Sequence, residues 1–285
     1  MDDDGTVSLE GELGTLRDQL DFRLVKPGAQ RTTQRGPAAA RNAGAERAAG
    51  ELLVFTDDDC LPAPGWLRAL GDRYRQTPGH AVGGRSVNLP PDATYARASQ
   101  FILDCVDAFY NDNGSGARFF ASNNLAVPRE GFLRVGGFDP AFRCPGGEDR
   151  DLCDRWLQLG YGMTYARDAV VYHTRNGGLP GFARQNFRYG RGAYRYHRAR
   201  ATRGSGRLRT DLSFYRTLAR TLHRPLRAAG TADGARLLAL LGVWQVANMA
   251  GFAWEGLRSL AADGSARDGL GDRLGGPCAP HRVPD

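Results

Sequence analysis

Lysine is almost missing from this chain: Lys26 is the single lysine among 38 basic residues. With alanine and glycine also abundant, this reads as a compositional bias of the source genome. The formal net charge of +7 therefore says little about partners by itself. Paired cysteines are missing too. Cys60, Cys105, Cys144, Cys153 and Cys278 are odd in number and scattered, with no CxxC. Neither a zinc module nor a disulfide framework is therefore indicated, and the pattern fits a reducing, cytosolic setting. No secretory signal is visible, since Met1-Asp2-Asp3-Asp4-Gly5 opposes the basic start such a signal needs. Acids nearly vanish from Gly181 to Arg227, where thirteen arginines face one acid, Asp211. What remains is ordinary for a globular protein with a real core, at 41% hydrophobic and 24% charged residues. A length of 285 residues allows one large domain, or one domain with an appendage.

The most informative stretch is Leu52-Leu53-Val54-Phe55-Thr56-Asp57-Asp58-Asp59. A short apolar run predicts a strand buried on both faces, as in a parallel sheet. Its acids then sit where open α/β sheets bind ligands, at a strand's carboxyl end. Asp57 and Asp59 are two apart and point the same way on an extended chain. Two hard oxygen donors suit Mg²⁺ or Mn²⁺ shared with substrate phosphates. The alternative is a solvated acidic turn in which Asp59 caps the next helix.

Around this stretch the chain alternates helix and strand signals. Leu13–Leu20 predicts an amphipathic helix and Phe22–Val25 a short strand. Residues 36–50 are alanine-rich, with Pro37 suited to a first turn and Gly50 to a stop. Trp66 to Tyr74 predicts a helix with Trp66, Leu67 and Leu70 on one face. Ala81–Val87 predicts a strand, and Tyr95–Tyr110 a helix carrying Phe101, Ile102, Cys105, Val106 and Phe109 inward. Phe119–Val127 predicts a strand with Ser122-Asn123-Asn124 in its middle, and polar residues inside a buried strand flag a site. Glu148, Asp149 and Asp151 open a helix reaching Leu159, with Leu152, Trp156 and Leu159 inward. Acids also favour a first helical turn through the helix dipole, without any chemistry. Met163–Tyr172 predicts a strand ending in His173.

The arginine-rich block interleaves Phe182, Phe187, Tyr189, Tyr194 and Tyr196. Leu237 to Trp254 follows, apolar except for Gln245 and Asn248. Its 18 residues lie at the lower edge of a membrane span. The arginines before it match a cytoplasmic flank. Attachment to an anionic membrane surface is favoured over a full span, on the cytoplasmic face. From Ala262 the tail is polar and reads as disordered.

Taken in order, Ala40-Arg41-Asn42-Ala43-Gly44, Phe55-Thr56-Asp57-Asp58-Asp59, Gly136-Gly137-Phe138-Asp139, Gly147-Glu148-Asp149-Arg150-Asp151-Leu152 and Val170-Val171-Tyr172-His173 resemble the motifs of family 2 glycosyltransferases. The resemblance spans roughly residues 36–175. Gln185-Asn186-Phe187-Arg188-Tyr189 is similar to the Q-x-x-R-[WY] helix of processive synthases. The resemblance implies an α/β, Rossmann-like nucleotide-diphospho-sugar transferase fold of the A type, with a C-terminal helical extension. It implies an inverting transfer from a nucleotide sugar to an acceptor hydroxyl in surface glycan or glycolipid synthesis, with Mn²⁺ or Mg²⁺ as cofactor. Asp149 is implied as general base, with Glu148 beside it. Asp57, Asp59 and His173 are implied metal ligands. Arg41, Asn42, Asp57 and Asp58 would lie on the donor side; Ser122, Asn123, Gln185 and Arg188 would lie on the acceptor side, against a glycan or lipid-linked acceptor.

The chain departs from that pattern at its start. The family's first strand and helix have no counterpart, and Met1–Thr6 resembles only the last turn of that unit. Asp3 and Asp4 keep an expected donor-side role. The expectation is a catalytic domain over 1–178, N-terminally truncated, an arginine-rich and apolar helical region over 179–261, and a tail over 262–285. The alternative is an inactive remnant that binds a membrane or a partner. Nucleic-acid binding by the Arg/aromatic block is not expected, because no known module is present.

Overall fold

The computed structural model describes residues 21–25, 36–89, 94–111, 116–174, 178–206, 212–228 and 230–267. Asp3, Asp4 and the expected Leu13–Leu20 helix lie outside the described residues. Phe22–Val25 forms no strand.

Five strands make one sheet: β1 (Leu52–Phe55), β2 (Cys60–Pro62), β3 (Ala81–Leu89), β4 (Leu125–Pro128) and β5 (Met163–Thr174). Their order is β1-β4-β3-β5-β2. β3 and β5 run parallel, and the other three neighbouring pairs run antiparallel. This corrects the expectation for the Leu52 stretch. β1 is a strand, but it ends the sheet order and pairs antiparallel with β4. Only Leu53 and Phe55 are fully buried, in alternation with half-covered Leu52 and Val54. An apolar run reports burial and says nothing of strand direction.

Helix α1 (Pro37–Arg47) starts on a proline and buries Ala38 and Ala45. Helix α2 (Trp66–Gln76) turns Trp66 and Leu70 inward, while Leu67 is exposed. One residue step on a helix rotates the side chain by about 100°, so Leu67 cannot share Trp66's face. Helix α3 (Thr94–Asn111) buries Phe101, Cys105 and Phe109. The expected Phe119–Val127 strand is shorter: Ser122–Asn124 form a single 3-10 turn that feeds β4. The short helix α4 (Arg129–Val135) follows, then α5 (Glu148–Gln158). Leu152 and Trp156 are buried in α5, but Leu159 is exposed, because the helix has ended and Gly160 turns the chain at φ 80°.

Three long helices complete the described chain: α6 (Gly178–Arg203), α7 (Leu212–Ala228) and α8 (Thr231–Arg267). The apolar stretch at 237–254 is one part of α8, which continues past the expected tail start at Ala262. α6 and α8 touch backbone to backbone. A Cβ on Gly190 would lie 1.9 Å from the Asn248 carbonyl oxygen, and one on Gly251 would lie 2.0 Å from that of Phe187. Small residues are what allow such an approach. Arg191 and Arg195 of α6 each donate to Glu255 of α8 at 2.7 Å. α6 is also pressed onto the start of α5, where a Cβ on Gly147 would meet the Gly192 carbonyl oxygen at 2.5 Å.

Candidate functional site

The site is built where the loop after β1 meets the N-terminus of α5. Phe55, at the end of β1, packs against Phe132 at 5.5 Å and Phe138 at 5.2 Å between ring centroids. That aromatic triangle seats the Gly136–Asp139 turn beside the three acids. Asn42 of α1 clamps the same turn: its amide donates to the Phe138 carbonyl at 2.7 Å and accepts from the Phe138 N–H at 2.9 Å. Arg41, the residue before Asn42 on the same helix, is thereby aimed between the two acidic segments.

Arg41 bridges them. Its guanidinium donates to Asp57 Oδ1 at 2.7 Å and to Glu148 Oε1 at 3.1 Å. Burial alone would lower the Arg41 pKa, but Asp57 and Glu148 more than offset it and raise it. Glu148 is buried and also accepts the Gly146 N–H at 2.7 Å. Desolvation, aided by the neighbouring Asp149 charge, pushes its carboxyl up, against the pull of Arg41. Asp149 accepts the Arg150 N–H at 2.8 Å. Its carboxyl is raised as well, chiefly by desolvation, with Arg150 and Arg41 opposing. A carboxylate poised above its ordinary range is a better proton acceptor near neutrality than an ordinary aspartate. Arg150 reaches over the rings of Phe119 and Tyr110, 5.1 and 5.5 Å from their centroids.

The second half of the site lies on the β2–β5 pair. His173 Nε2 is 2.9 Å from Asp59 Oδ2, and its Nδ1 is 3.4 Å from Asn88 Oδ1. Donor atoms of Asp59, Cys60 and His173 lie within 4.8 Å of one another. Among the described residues this is the one such group of three. Burial and the nearby Asp59 and Asp57 charges push the Cys60 thiol up to about 12.

The structure thus brings Asp59 and His173 together, although 114 residues separate them. Asp57 stays on Arg41, outside that donor group, and Asp58 is exposed. On the expected acceptor side, Ser122 is buried. Asn123 accepts from the Ser86 hydroxyl at 3.2 Å and reaches Cys60 Sγ at 3.7 Å. Its neighbour Asn124 is a structural hub that accepts from Trp66 Nε1 at 2.8 Å and donates to the Arg85 and Ala169 carbonyls. Gln185 donates to the Tyr189 hydroxyl at 3.0 Å. The Arg188 carbonyl lies over Gly146, which puts this part of α6 beside the turn leading to Glu148. Sequence reasoning missed Cys60, Asn88 and Ser86. A cysteine directly after three acids was a signal, but only the pairing of β2 with β5 joins it to His173.

Residues 29–139 match the family described as glycosyl transferase family 2, and residues 105–176 match the N-terminal domain of galactosyltransferase. Glucosyl-dolichyl phosphate glucuronosyltransferase of Haloferax volcanii is 29% identical over 153 residues, covering 49% of this chain and 48% of that protein. Pre-mycofactocin glycosyltransferase of Mycobacterium tuberculosis is 28% identical over 143 residues, covering 49% of this chain and 30% of that protein. The chain therefore spans about half, or less, of these curated relatives. Among solved structures, a mannosyltransferase from Pyrobaculum calidifontis in complex with GDP-Man and Mn²⁺ superposes with a TM-score of 0.53 at 20% identity, covering 90% of this chain and 74% of that one. The mixed α/β sheet, the order of its motifs and these likenesses agree: the chain carries a glycosyl transferase family 2 domain of the A-type glycosyltransferase fold.

Proposed function

We propose that this chain transfers a sugar from a nucleotide-diphospho-sugar to an acceptor hydroxyl with inversion, at the cytoplasmic face of a membrane, in glycan or glycolipid synthesis. The observation that carries this reading is Arg41 holding Asp57 and Glu148 on one guanidinium. It puts the strand-end acids, the expected diphosphate side, next to the helix start that bears Asp149, the expected base. The donor set also fits a divalent cation: Asp59 and His173 offer an oxygen and an imidazole nitrogen at one open spot. A bound Mn²⁺ or Mg²⁺ would supply Lewis-acid neutralisation of the leaving diphosphate. Asp59 and His173 would hold it, with Asp57 at the Arg41 end.

Asp149 takes the proton of the acceptor hydroxyl as that oxygen attacks the anomeric carbon from the face opposite the diphosphate. Glu148, fixed by Arg41 and the Gly146 N–H, keeps Asp149 in place and disfavours a second full charge beside it. Asn123 and the Arg188 region line the acceptor approach. In this reading residues 1–178 carry the chemistry and 179–261 bring it to the membrane. α8 supports the second part. Ala232–Ala262 is long and apolar enough to cross a bilayer, and Val246, Met249, Leu257 and Leu260 lie exposed along it at helical spacing. The lipid-linked substrate in the name of the Haloferax volcanii relative agrees with a lipid-linked acceptor.

Calorimetric titration of the chain with UDP, GDP and dTDP, with and without Mn²⁺, tests the reading. Metal-dependent binding of one nucleotide, lost in Asp59→Ala, is expected. No binding to any of the three would overturn it.

A further inference from the structure

The β2–β5 pair holds a thiol where a site for hard cations alone needs none. Cys60 and His173 are direct partners in the antiparallel register. Residues so opposed present their side chains on one face, roughly 4.5–5.5 Å apart at Cβ. Asp59 precedes Cys60, and its carbonyl is tied down by the Thr174 N–H at 3.0 Å and the Thr174 hydroxyl at 3.1 Å. A carboxylate oxygen, a sulfur and an imidazole nitrogen therefore converge within 4.8 Å on a braced backbone. A tetrahedral site with Zn–S of about 2.3 Å and Zn–N and Zn–O of about 2.0–2.2 Å has edges of roughly 3.3–3.7 Å, so small side-chain rotations bring all three donors onto one ion.

Two of the donors, His173 and Cys60, also have an outer partner of the kind that orients metal ligands. Asn88 Oδ1 faces His173 Nδ1 at 3.4 Å and turns Nε2 toward Asp59. Asn123, held by Ser86, reaches the Cys60 sulfur at 3.7 Å. The Asp59 side chain is 47% exposed, which leaves a fourth position open to water or a substrate oxygen. Mg²⁺ and Mn²⁺ favour oxygen ligands, whereas a thiolate selects softer ions, and zinc stands far above manganese in intrinsic affinity.

We propose that Asp59, Cys60 and His173 form a zinc site, and that zinc bound there competes with the Mn²⁺ or Mg²⁺ of the donor site for Asp59 and His173. The site stands on its own geometry; the competition rests on the functional reading above. Zinc would then act as an inhibitor of a manganese- or magnesium-dependent transferase, with Cys60 setting the selectivity.

The test uses the full chain stripped of metal. Zinc is titrated against a chromophoric chelator, Co²⁺ serves as a spectroscopic stand-in, and Mn²⁺ is followed by its free-ion paramagnetic resonance signal. Expected are zinc binding at least about 100-fold tighter than manganese, a thiolate-to-cobalt charge-transfer band in the near ultraviolet, and return of bound Mn²⁺ to the free signal as zinc is added. Cys60→Ser should remove the band and lower the zinc-to-manganese affinity ratio at least about tenfold. A cobalt spectrum of the unaltered chain without a thiolate band overturns the proposal, and no variant is needed for that result. A band that survives Cys60→Ser overturns it as well. Cys60-dependent zinc binding in a chain that binds no nucleoside diphosphate upholds the zinc site and sinks the donor reading.

Discussion

Two clusters of ion pairs divide this molecule, and their surplus charges are opposite. At the strand end, one guanidinium, Arg41, holds two carboxylates, Asp57 and Glu148, with Asp149 adjacent. Between α5, α6 and α8 the ratio is inverted. Asp151 is shared by Arg155 and Arg203, and Glu255 by Arg191 and Arg195. The first cluster is short of cations, and desolvation raises the carboxyls of Glu148 and Asp149 there; the second saturates its acids. Glu255 illustrates this: burial alone would lift its carboxyl, but hydrogen bonds from Arg191 and Arg195 bring it below the ordinary range. A carboxylate surplus at an open site invites a metal and a proton. An arginine surplus between helices glues them together. The arginine block thus serves the fold itself in part, since Arg191, Arg195, Arg200 and Arg203 are engaged with acids of the protein.

Substitutions can break this contrast, starting with the largest effect. Asp149→Asn keeps the shape of the acidic cluster but removes the carboxylate proposed as its base. Nucleotide-sugar turnover should fall about 10³-fold, with the thermal midpoint little changed. Turnover close to that of the unaltered chain would show that this cluster is structural like the other.

Gly190→Ala strikes the helical cluster through its backbone contact. The new Cβ would sit 1.9 Å from the Asn248 carbonyl oxygen. The helices must part, at a cost of about 3 kcal/mol, read as a lower midpoint in urea. Nucleotide affinity should fall much less than stability if the two clusters act independently.

Glu255→Gln is the mildest and sharpens the electrostatic side. A carboxyl depressed in the fold gives up its proton more readily folded than unfolded. Its stabilisation is whole above the ordinary carboxylate pKa and fades as pH falls through the lower folded value. Near neutral pH the variant should lose about 2 kcal/mol. Its melting curve should converge on that of the unaltered chain in acid. A constant gap at all pH values would mean that packing, not charge, accounts for the loss.

Much of the framework could be read directly from residue order. Pro37 and the alanines after it form α1, Ala81–Leu89 and Met163–Thr174 are strands, and the Gly147-Glu148-Asp149 run opens α5. These are local decisions, set by propensity, punctuation and hydrophobic period within a few residues. Leu67 and Leu159 were misread because a hydrophobic residue beside a helical face, or one step past its end, looks inward on composition alone. The Ser122–Asn124 turn was misread for a similar reason. Asn124 is buried by partners at Trp66, Arg85 and Ala169, none of them near it in sequence.

By itself, the sequence determined which residue types stand at the ends of strands and helices, and so where acids, an arginine and a histidine were available. Only the tertiary structure decided who meets whom. Sheet order pairs Cys60 with His173, Arg41 spans 107 residues to reach Glu148, and α8 lies on α6 through glycines at 190 and 251. The physical reason is range. Propensity and capping act over one or two turns, whereas strand direction, register and ion-pair partners are settled when distant segments close on a shared core.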